Sequence, residues 1–237
     1  MAIQKEEILF YEKIKGNCKV VFDIGCREDI DYVSLSENKI FHYFEPNPNF
    51  CLACQKNLEI STNNIVYLNN FGIGNQTKEI DYYPDGQSFF RRKYIYVSTA
   101  DPITLSIKRF NDYISDNKIE YIDFLKMDTE GGEPDILLDN PNFIKTSVKY
   151  VQFEWASTWV DRGDGILLND IINEFKEYFD FYFLYDENHP ISKAYKTFLT
   201  KIDNSQIVKE MTDHMMNAYG FNIIMIRKEH EIRSIIY

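Results

Sequence analysis

Positive charge is the first thing this chain has little of. Against 37 Asp and Glu stand only 26 Lys and Arg, a formal net charge of −11. Such a surface offers a nucleic-acid backbone or an anionic membrane no positive face to grip. The one tight basic cluster, Arg91-Arg92-Lys93, reads as a solvated hairpin end. Cysteine is scarce as well. Cys18, Cys26, Cys51 and Cys54 are the four thiols in 237 residues, which fits reduced side chains rather than a disulfide framework. Cys51-Leu-Ala-Cys54 has redox or zinc spacing, but it lies in a helical pattern and has no second pair. No apolar run approaches the length of a membrane span, and Met-Ala-Ile-Gln-Lys-Glu-Glu lacks the pattern of a signal peptide. Those absences predict a cytoplasmic protein with no membrane span. No internal repeat, low-complexity tract or linker interrupts the chain.

What is present is core-forming material. Hydrophobic residues make up 44% and aromatics 16% of the sequence, enough for one well-buried domain at this length. Gln4–Lys15 is amphipathic, with Ile8, Leu9, Tyr11 and Ile14 as its helical stripe. A strand over 19–25, a helix over 29–36, a strand over 40–44, a helix over 50–58 and a strand over 65–68 follow. Strands alternating with helices at this spacing mean βαβ units and a parallel sheet. Right-handed connections would then place Asp23, Glu45 and Asn69 on one edge. Residues 78–83 and 94–98 alternate like a hairpin, and 107–114 look helical. After the central strand come a helix around 136–138, a strand over 149–155, a helix over 166–179 and strands over 180–185 and 221–227. A polar stretch with a helix near 205–217 separates the last two. The expected organisation is a single domain over 1–237, with a hairpin excursion at about 75–103 and a substrate-side excursion at about 186–220.

The central stretch is Tyr121–Glu133, an apolar strand that runs straight into Asp128, Glu130 and Glu133 around Gly131-Gly132. Ligands of open α/β sheets bind at the carboxyl ends of the strands, so this is the expected working edge. Glu130 and Glu133 also suit the start of a helix, whose N-terminus favours negative charge. Asp23-Ile-Gly25 ends the first strand and Glu45 the second. A carboxylate there is placed to accept both hydroxyls of a ribose, and the glycine allows close backbone approach to a ligand. A dinucleotide would need glycines where this chain has Cys26, Arg27, Glu28 and Asp29, and the acidic pair would repel a pyrophosphate. A nucleoside cofactor without phosphate, S-adenosylmethionine, fits better.

Four strings, Phe22–Gly25, Phe44–Asn47, Leu125–Glu133 and Val151–Glu154, occur in an order and spacing that resembles the FkbM-family methyltransferases. Asn70–Gly74 is similar to that family's third-strand exit, and Thr104-Leu105 with Phe110–Ile114 to its helix before the central strand. The likeness covers about Val20 to Trp155 and returns weakly at Phe221–Arg227. It departs in the first loop, where the family usually has Asn and a later Gly and this chain has Arg27 and Asp29.

The resemblance implies a three-layer, Rossmann-like class I fold with a mostly parallel seven-stranded sheet whose last strand is antiparallel. It further implies an S-adenosylmethionine-dependent O-methyltransferase. By matching positions, Asp23 and Gly25 would lie along the methionine part, Glu45 would bind the ribose, and Asn70, Phe71 and Gly72 would border the adenine; Cys26, Pro46 and Asp128 complete the implied cofactor-binding set. The implied acceptor is a sugar hydroxyl of a glycan or polysaccharide precursor; a non-sugar metabolite or lipid is the alternative. A non-catalytic module on the same fold, binding a glycan or a partner, is the rival from outside enzymes. The lack of an Asn/Asp-Pro-Pro-aromatic string argues against a nucleic-acid enzyme.

Methyl transfer to oxygen needs orientation and a base. Asp128 is the favoured base. Lys126, on the same strand face, pairs with a carboxylate to keep it ionised or is a structural counter-charge. Glu130 and Glu154 complete the carboxylates at the strand ends, and His189 in Asn188-His-Pro190 is a loop candidate for the base. No metal ligand is assigned. A divalent cation held by Asp128, Glu130 and Glu154 is the minor alternative, because acidic strand ends also cap helices. His42 reads as structural. Trp155 and Trp159 read as core packing or a sugar-stacking platform.

Overall fold

Five short stretches rich in Val, Ile, Phe and Tyr pair side by side because both of their faces are apolar, the pattern of a parallel sheet covered on two sides. The structure, a computed structural model, describes residues 5–58, 63–82, 101–155, 166–184, 198–202 and 221–230. The chain runs α1 (Lys5–Ile14), β1 (Val20–Ile24), α2 (Asp31–Ser34), β2 (Ile40–Phe44), α3 (Pro48–Leu58), β3 (Ile65–Asn69), β4 (Gly72–Gly74), β5 (Lys78–Tyr82) and β6 (Ile103–Arg109). It continues with α4 (Phe110–Asp116), β7 (Ile122–Met127), α5 (Glu133–Asp139), α6 (Pro141–Ser147), β8 (Val148–Trp155), α7 (Leu168–Phe175), β9 (Phe179–Leu184), β10 (Leu199–Lys201) and β11 (Phe221–Arg227).

The main sheet has the order β10-β9-β11-β8-β7-β1-β2-β3. β3, β2, β1, β7 and β8 are parallel neighbours. β11 lies antiparallel between β8 and β9. The expected architecture therefore stands with one correction to the count: β10, within the stretch read as polar, adds an eighth strand beside β9. A separate three-stranded sheet, β4-β6-β5, packs β6 against β5 in antiparallel register.

Each face of the main sheet has its own core. Phe22, Leu125, Val151 and Phe153 pack with residues of α4 to α7. Val21, Phe41, Tyr43, Phe124 and Tyr150 pack beneath α1 and α2. The first turn of β1 is tied to the start of β7, where the Asp123 carboxylate accepts the backbone N–H groups of Lys19 and Val20 at 2.7 and 2.9 Å.

Several boundaries differ from the sequence reading. α1 buries Glu7, Phe10, Tyr11 and Ile14, whereas Leu9 is 38% exposed. The helix expected over 107–114 begins only at Phe110, because Leu105 and Ile107 alternate inward as a strand. The partner of β5 is β6, and the expected partner at 94–98 lies outside the described residues. The helix expected over 29–36 shrinks to Asp31–Ser34. α6, which Pro141 starts and the Asn140 side chain caps by accepting the Phe143 N–H at 3.2 Å, was not anticipated. α7 ends at Phe175, and Phe179 already belongs to β9. Among the described residues, no helix is long and apolar enough to cross a membrane.

Candidate functional site

Parallel register sets Ile24, Phe44, Asn69, Met127 and Phe153 level with one another. The residues that follow them, Gly25, Glu45, Asn70 and Asp128, leave the sheet at one edge, and Glu154, still paired with Asn222, stands level with them on β8. This is the edge the sequence pointed to.

Gly25 is needed there by its neighbour at the exit of β7. Its φ is +84°, and a Cβ built on it would sit 2.0 Å from the backbone oxygen of Asp128. The exit of β1 crosses so close to the exit of β7 that no side chain fits between them. Its N–H donates to the Phe44 carbonyl at 2.9 Å, which also locks it to β2.

Glu45 is buried, and each of its carboxylate oxygens accepts one backbone N–H: Arg27 at 2.9 Å and Asn47 at 2.7 Å. Burial pushes its carboxyl up to about 7, with those two N–H bonds working in the other direction. The bond to Arg27 holds that residue in a left-handed conformation, φ 53°, while its guanidinium lies over the Phe50 ring at 4.9 Å. The departure from the family's first loop thus leaves the Glu45 clamp in place. The Asn70 amide donates to the Glu45 and Pro46 carbonyls at 2.9 and 3.2 Å, tying the β3 exit to the β2 exit. Phe71 lies against Phe44 and Tyr113, and a Cβ on Gly72 would meet Ile107 and Pro46. Cys26 is buried with its sulfur 3.8 Å from that of Cys54, and both thiols donate towards the Arg27 carbonyl. That geometry pairs Cys54 with Cys26 rather than with Cys51.

Lys126 is the centre of charge. Its Nζ lies 3.3 Å from Asp23 Oδ1 and 3.7 Å from Asp128 Oδ2. Burial opposes its charge, but Asp23, Asp128 and Glu7 outweigh burial and hold it above the ordinary lysine range. Asp23 is 1% exposed, and burial raises it to about 6 against the pull of Lys126. Of the two aspartates, Asp128 is the one open to solvent, at 36% side-chain exposure.

The loop after β7 is shaped by a second clamp. Glu133, fully buried at the first position of α5, accepts the Thr129 N–H and hydroxyl on Oε1 and the Gly131 N–H at 2.9 Å on Oε2. Burial raises its carboxyl to about 7. Of the two readings of Glu133, the helix-start role is the observed one. Its clamp sustains the left-handed backbone of Glu130 (φ 58°) and Gly131 (φ 114°). A non-glycine residue in that region is strained unless its surroundings enforce it. Asp128, Glu130 and Glu154 each offer a carboxylate oxygen within 4.8 Å of the others. Burial, then Asp128, Glu130, Glu133 and Glu7, push the Glu154 carboxyl up. These three hard oxygen donors are also the set that could hold a divalent cation.

Three buried polar residues, Glu7, Gln152 and Asn222, escaped the sequence reading. Glu7 on α1 accepts the Asn222 amide N–H at 2.8 Å, and Asn222 Oδ1 accepts from Gln152 at 3.5 Å. Gln152 is the register partner of Lys126 and Asn222 that of Glu154. The available signal was the stripe Glu7, Phe10, Tyr11, Ile14, spaced i, i+3, i+4, i+7, with a carboxylate on its apolar face. His42 is structural as expected, hydrogen-bonded to the Tyr113 hydroxyl at 2.8 Å and buried. Trp155 is core. His189 and Trp159 lie outside the described residues.

The donor set fits a positively charged nucleoside group without phosphate. Each Glu45 oxygen has one lone pair left for a hydroxyl. The strand exits carry carboxylates, and the charge of the adjoining lysine is already shared between Asp23 and Asp128.

A family model described as the methyltransferase FkbM domain matches residues 24–189. The 2-O-methyltransferase NoeI of Sinorhizobium fredii (strain NBRC 101917 / NGR234) is 24% identical over 163 residues, which are 61% of this chain and 66% of NoeI. The crystal structure of methyltransferase FkbM from Methylobacillus flagellatus KT is similar with a TM-score of 0.48 and 13% identity, over 88% of this chain and 43% of that one. The plantazolicin methyltransferase BpumL, solved in complex with SAH, gives a TM-score of 0.40 and 8% identity, over 94% and 81%. The chain thus spans about two thirds of NoeI and less than half of the Methylobacillus chain.

Proposed function

Because this chain belongs to the FkbM methyltransferase family, we propose that it is an S-adenosylmethionine-dependent O-methyltransferase acting on a sugar hydroxyl of a glycan or polysaccharide precursor. The observation that carries the reading is the Asp23–Lys126–Asp128 row at the exits of β1 and β7, beside the clamped Glu45. The 2-O-methyltransferase name of NoeI supports oxygen as the methylated atom. The cofactor supplies a methyl group already activated on a sulfonium, so the protein's share is placement and removal of one proton.

Glu45, oriented by Arg27 and Asn47, would hold the ribose hydroxyls. Gly25 and Cys26, with Asp23 behind them, would border the methionine part. Asn70, Phe71 and Gly72 would border the adenine, and Pro46 would lie between the two. Asp128, solvent-accessible and paired on its inner side with Lys126, accepts the hydrogen of the acceptor hydroxyl and takes its proton. Lys126 places its positive charge 3.7 Å from that carboxylate. Glu154, whose carboxyl burial pushes up, lies beside it, with Glu130 as the third carboxylate. A positioned base contributes on the order of 10²–10⁴-fold, and orientation supplies much of the rest.

The test pairs binding with transfer. Calorimetric titration with S-adenosylmethionine and S-adenosylhomocysteine should give micromolar affinity that Glu45→Ala abolishes. Label from methyl-labelled cofactor should then pass to members of a panel of sugars and oligosaccharides, and Asp128→Asn should reduce that transfer at least 100-fold. A folded wild type that binds neither cofactor form would end the methyltransferase reading. Transfer confined to non-sugar hydroxyls would end the sugar assignment alone.

A further inference from the structure

We propose that Cys26 and Cys54 are a reversible disulfide pair that switches the cofactor site by releasing Arg27 from Glu45. The effect on the cofactor rests on the methyltransferase reading above; the disulfide itself does not. Cys26 stands directly after Gly25, where the chain leaves β1, and Cys54 lies 28 residues on, in α3. Cys54 turns into the core with Phe41 and Tyr43 and meets Cys26 there. Both are free thiols, exposed by 3% and 0%, and their sulfurs are 3.8 Å apart. A disulfide needs about 2 Å, a gap that side-chain rotation and a small loop shift close.

What the two thiols hold is the carbonyl of Arg27. Cys54 Sγ donates to it at 2.7 Å and Cys26 Sγ at 3.7 Å. The N–H of the same residue donates to Glu45 Oε2 at 2.9 Å, so one residue links the thiol pair to the carboxylate proposed for the ribose. Arg27 sits at φ 53°, a conformation that a non-glycine residue keeps only where its surroundings enforce it. Oxidation removes both S–H donors at once. The Arg27 carbonyl loses their hold, and the residue relaxes towards the right-handed region with its N–H off Glu45. Glu45 keeps the Asn47 N–H at 2.7 Å but loses the bond that orients its other oxygen. A peroxide is the oxidant. The Cys26 thiolate attacks a peroxide oxygen and becomes a sulfenic acid as one water leaves. Cys54 then attacks that sulfur, a second water leaves, and the S–S bond forms. Burial pushes the Cys26 thiol well up, and a buried thiol is a slow nucleophile, so the reaction runs through an opened loop. A cofactor seated against Gly25 and Cys26 keeps that loop closed. By linkage, a disulfide that weakens the cofactor is itself disfavoured by the cofactor.

The experiment treats the purified, reduced chain with hydrogen peroxide, removes the peroxide, and takes two readings. Mass spectrometry of a non-reducing digest should find the Cys26 and Cys54 peptides joined and two hydrogens lighter than the free pair. Calorimetry should find S-adenosylhomocysteine binding weakened by about tenfold, the scale of one hydrogen bond to a charged group, and dithiothreitol should restore it. S-adenosylmethionine present during the oxidation should slow the linkage. Cys54→Ser should bind within twofold of reduced wild type and ignore peroxide, whereas Cys51→Ser should respond as wild type does. Thiols left free by peroxide, a Cys26 sulfinic acid, or a link between other cysteines would each overturn the proposal. So would a Cys26–Cys54 link with unchanged affinity, and these wild-type readings decide the matter whether or not the variants fold. A reduced wild type that binds no cofactor would end the methyltransferase reading instead. Hydrogen exchange at the Arg27 amide then still decides the switch: faster exchange in the oxidised chain supports it, and equal exchange overturns it.

Discussion

At the scale of single residues, two positions behave differently from what their type suggests. Lys126 and Asp23 form an ion pair with almost no solvent access, at 3.3 Å. Removing one member of such a pair costs more than removing both, because the survivor keeps its desolvation penalty without its partner. Lys126→Met should therefore cost about 3–5 kcal/mol of stability, read from urea unfolding. The double variant Asp23→Asn with Lys126→Met should recover a large part of that loss. An additive double variant would show that the two side chains do not act as a pair. Gly25 is the second position. The left-handed φ and the Asp128 carbonyl 2.0 Å from its missing Cβ act together. Gly25→Ala should lose at least about 2 kcal/mol, with or without cofactor. Cofactor-dependent loss alone would restore the sequence's explanation, in which the glycine makes room for a ligand. The Asp-x-Gly string was legible; the reason for its glycine was not, since the β7 exit that crowds it comes more than 100 residues later.

At the scale of elements, the strands of the parallel sheet were readable because continuous burial leaves few alternatives. β2 and β11 were bounded to the residue, and β1, β3, β7 and β8 to within one. What failed were places where two periodicities overlap. Residues 103–109 alternate as a strand and 110–116 continue as a helix, and Ile107 satisfies either pattern until β5 pairs with it. In α1 the apolar neighbours Ile8 and Leu9 drew the stripe one position off and hid Glu7. The loop from Asp128 to Gly132 was recognised by its acids, but its two kinds of acid could not be separated. Glu133 turns inward to hold the loop, and Asp128 and Glu130 remain near the surface. That division predicts contrasting variants. Glu133→Ala should leave the Thr129 and Gly131 N–H groups without their acceptor, cost about 1–3 kcal/mol, and speed amide hydrogen exchange at those two residues. Glu130→Ala should spare stability and change cofactor or acceptor binding. Equal exchange protection in Glu133→Ala and wild type would mean that the clamp does not hold the loop.

At the scale of the whole molecule, the carboxylates that build the site set a common pH dependence. Glu7, Glu45 and Glu133 are pushed up to about 7, Asp23 to about 6 and Glu154 to about 9, burial being the first cause in every case. Unfolded, the same groups would titrate near 4.5 for Glu and 3.8 for Asp. Between those values and the folded ones, the native chain holds protons that the unfolded chain has released, so stability falls as pH rises. A carboxylate paired in the usual way gives the opposite slope, with stability lost towards acid. The net charge of −11 pushes in the same direction, since raising the pH adds to self-repulsion. The urea midpoint should therefore be higher at pH 5 than at pH 8.5, with most of the decline between about 4 and 7 and the remainder, from Glu154, reaching about 9. A bound sulfonium cation reverses part of this trend, because it favours the ionised carboxylates that are costly in its absence. The stabilisation by S-adenosylmethionine should thus grow with pH, and that by S-adenosylhomocysteine should grow less. A midpoint that rises with pH in the ligand-free protein would show that these carboxylates are compensated by pairing rather than held against their preference by burial. The acidic edge would then be a structural network before it is a binding site.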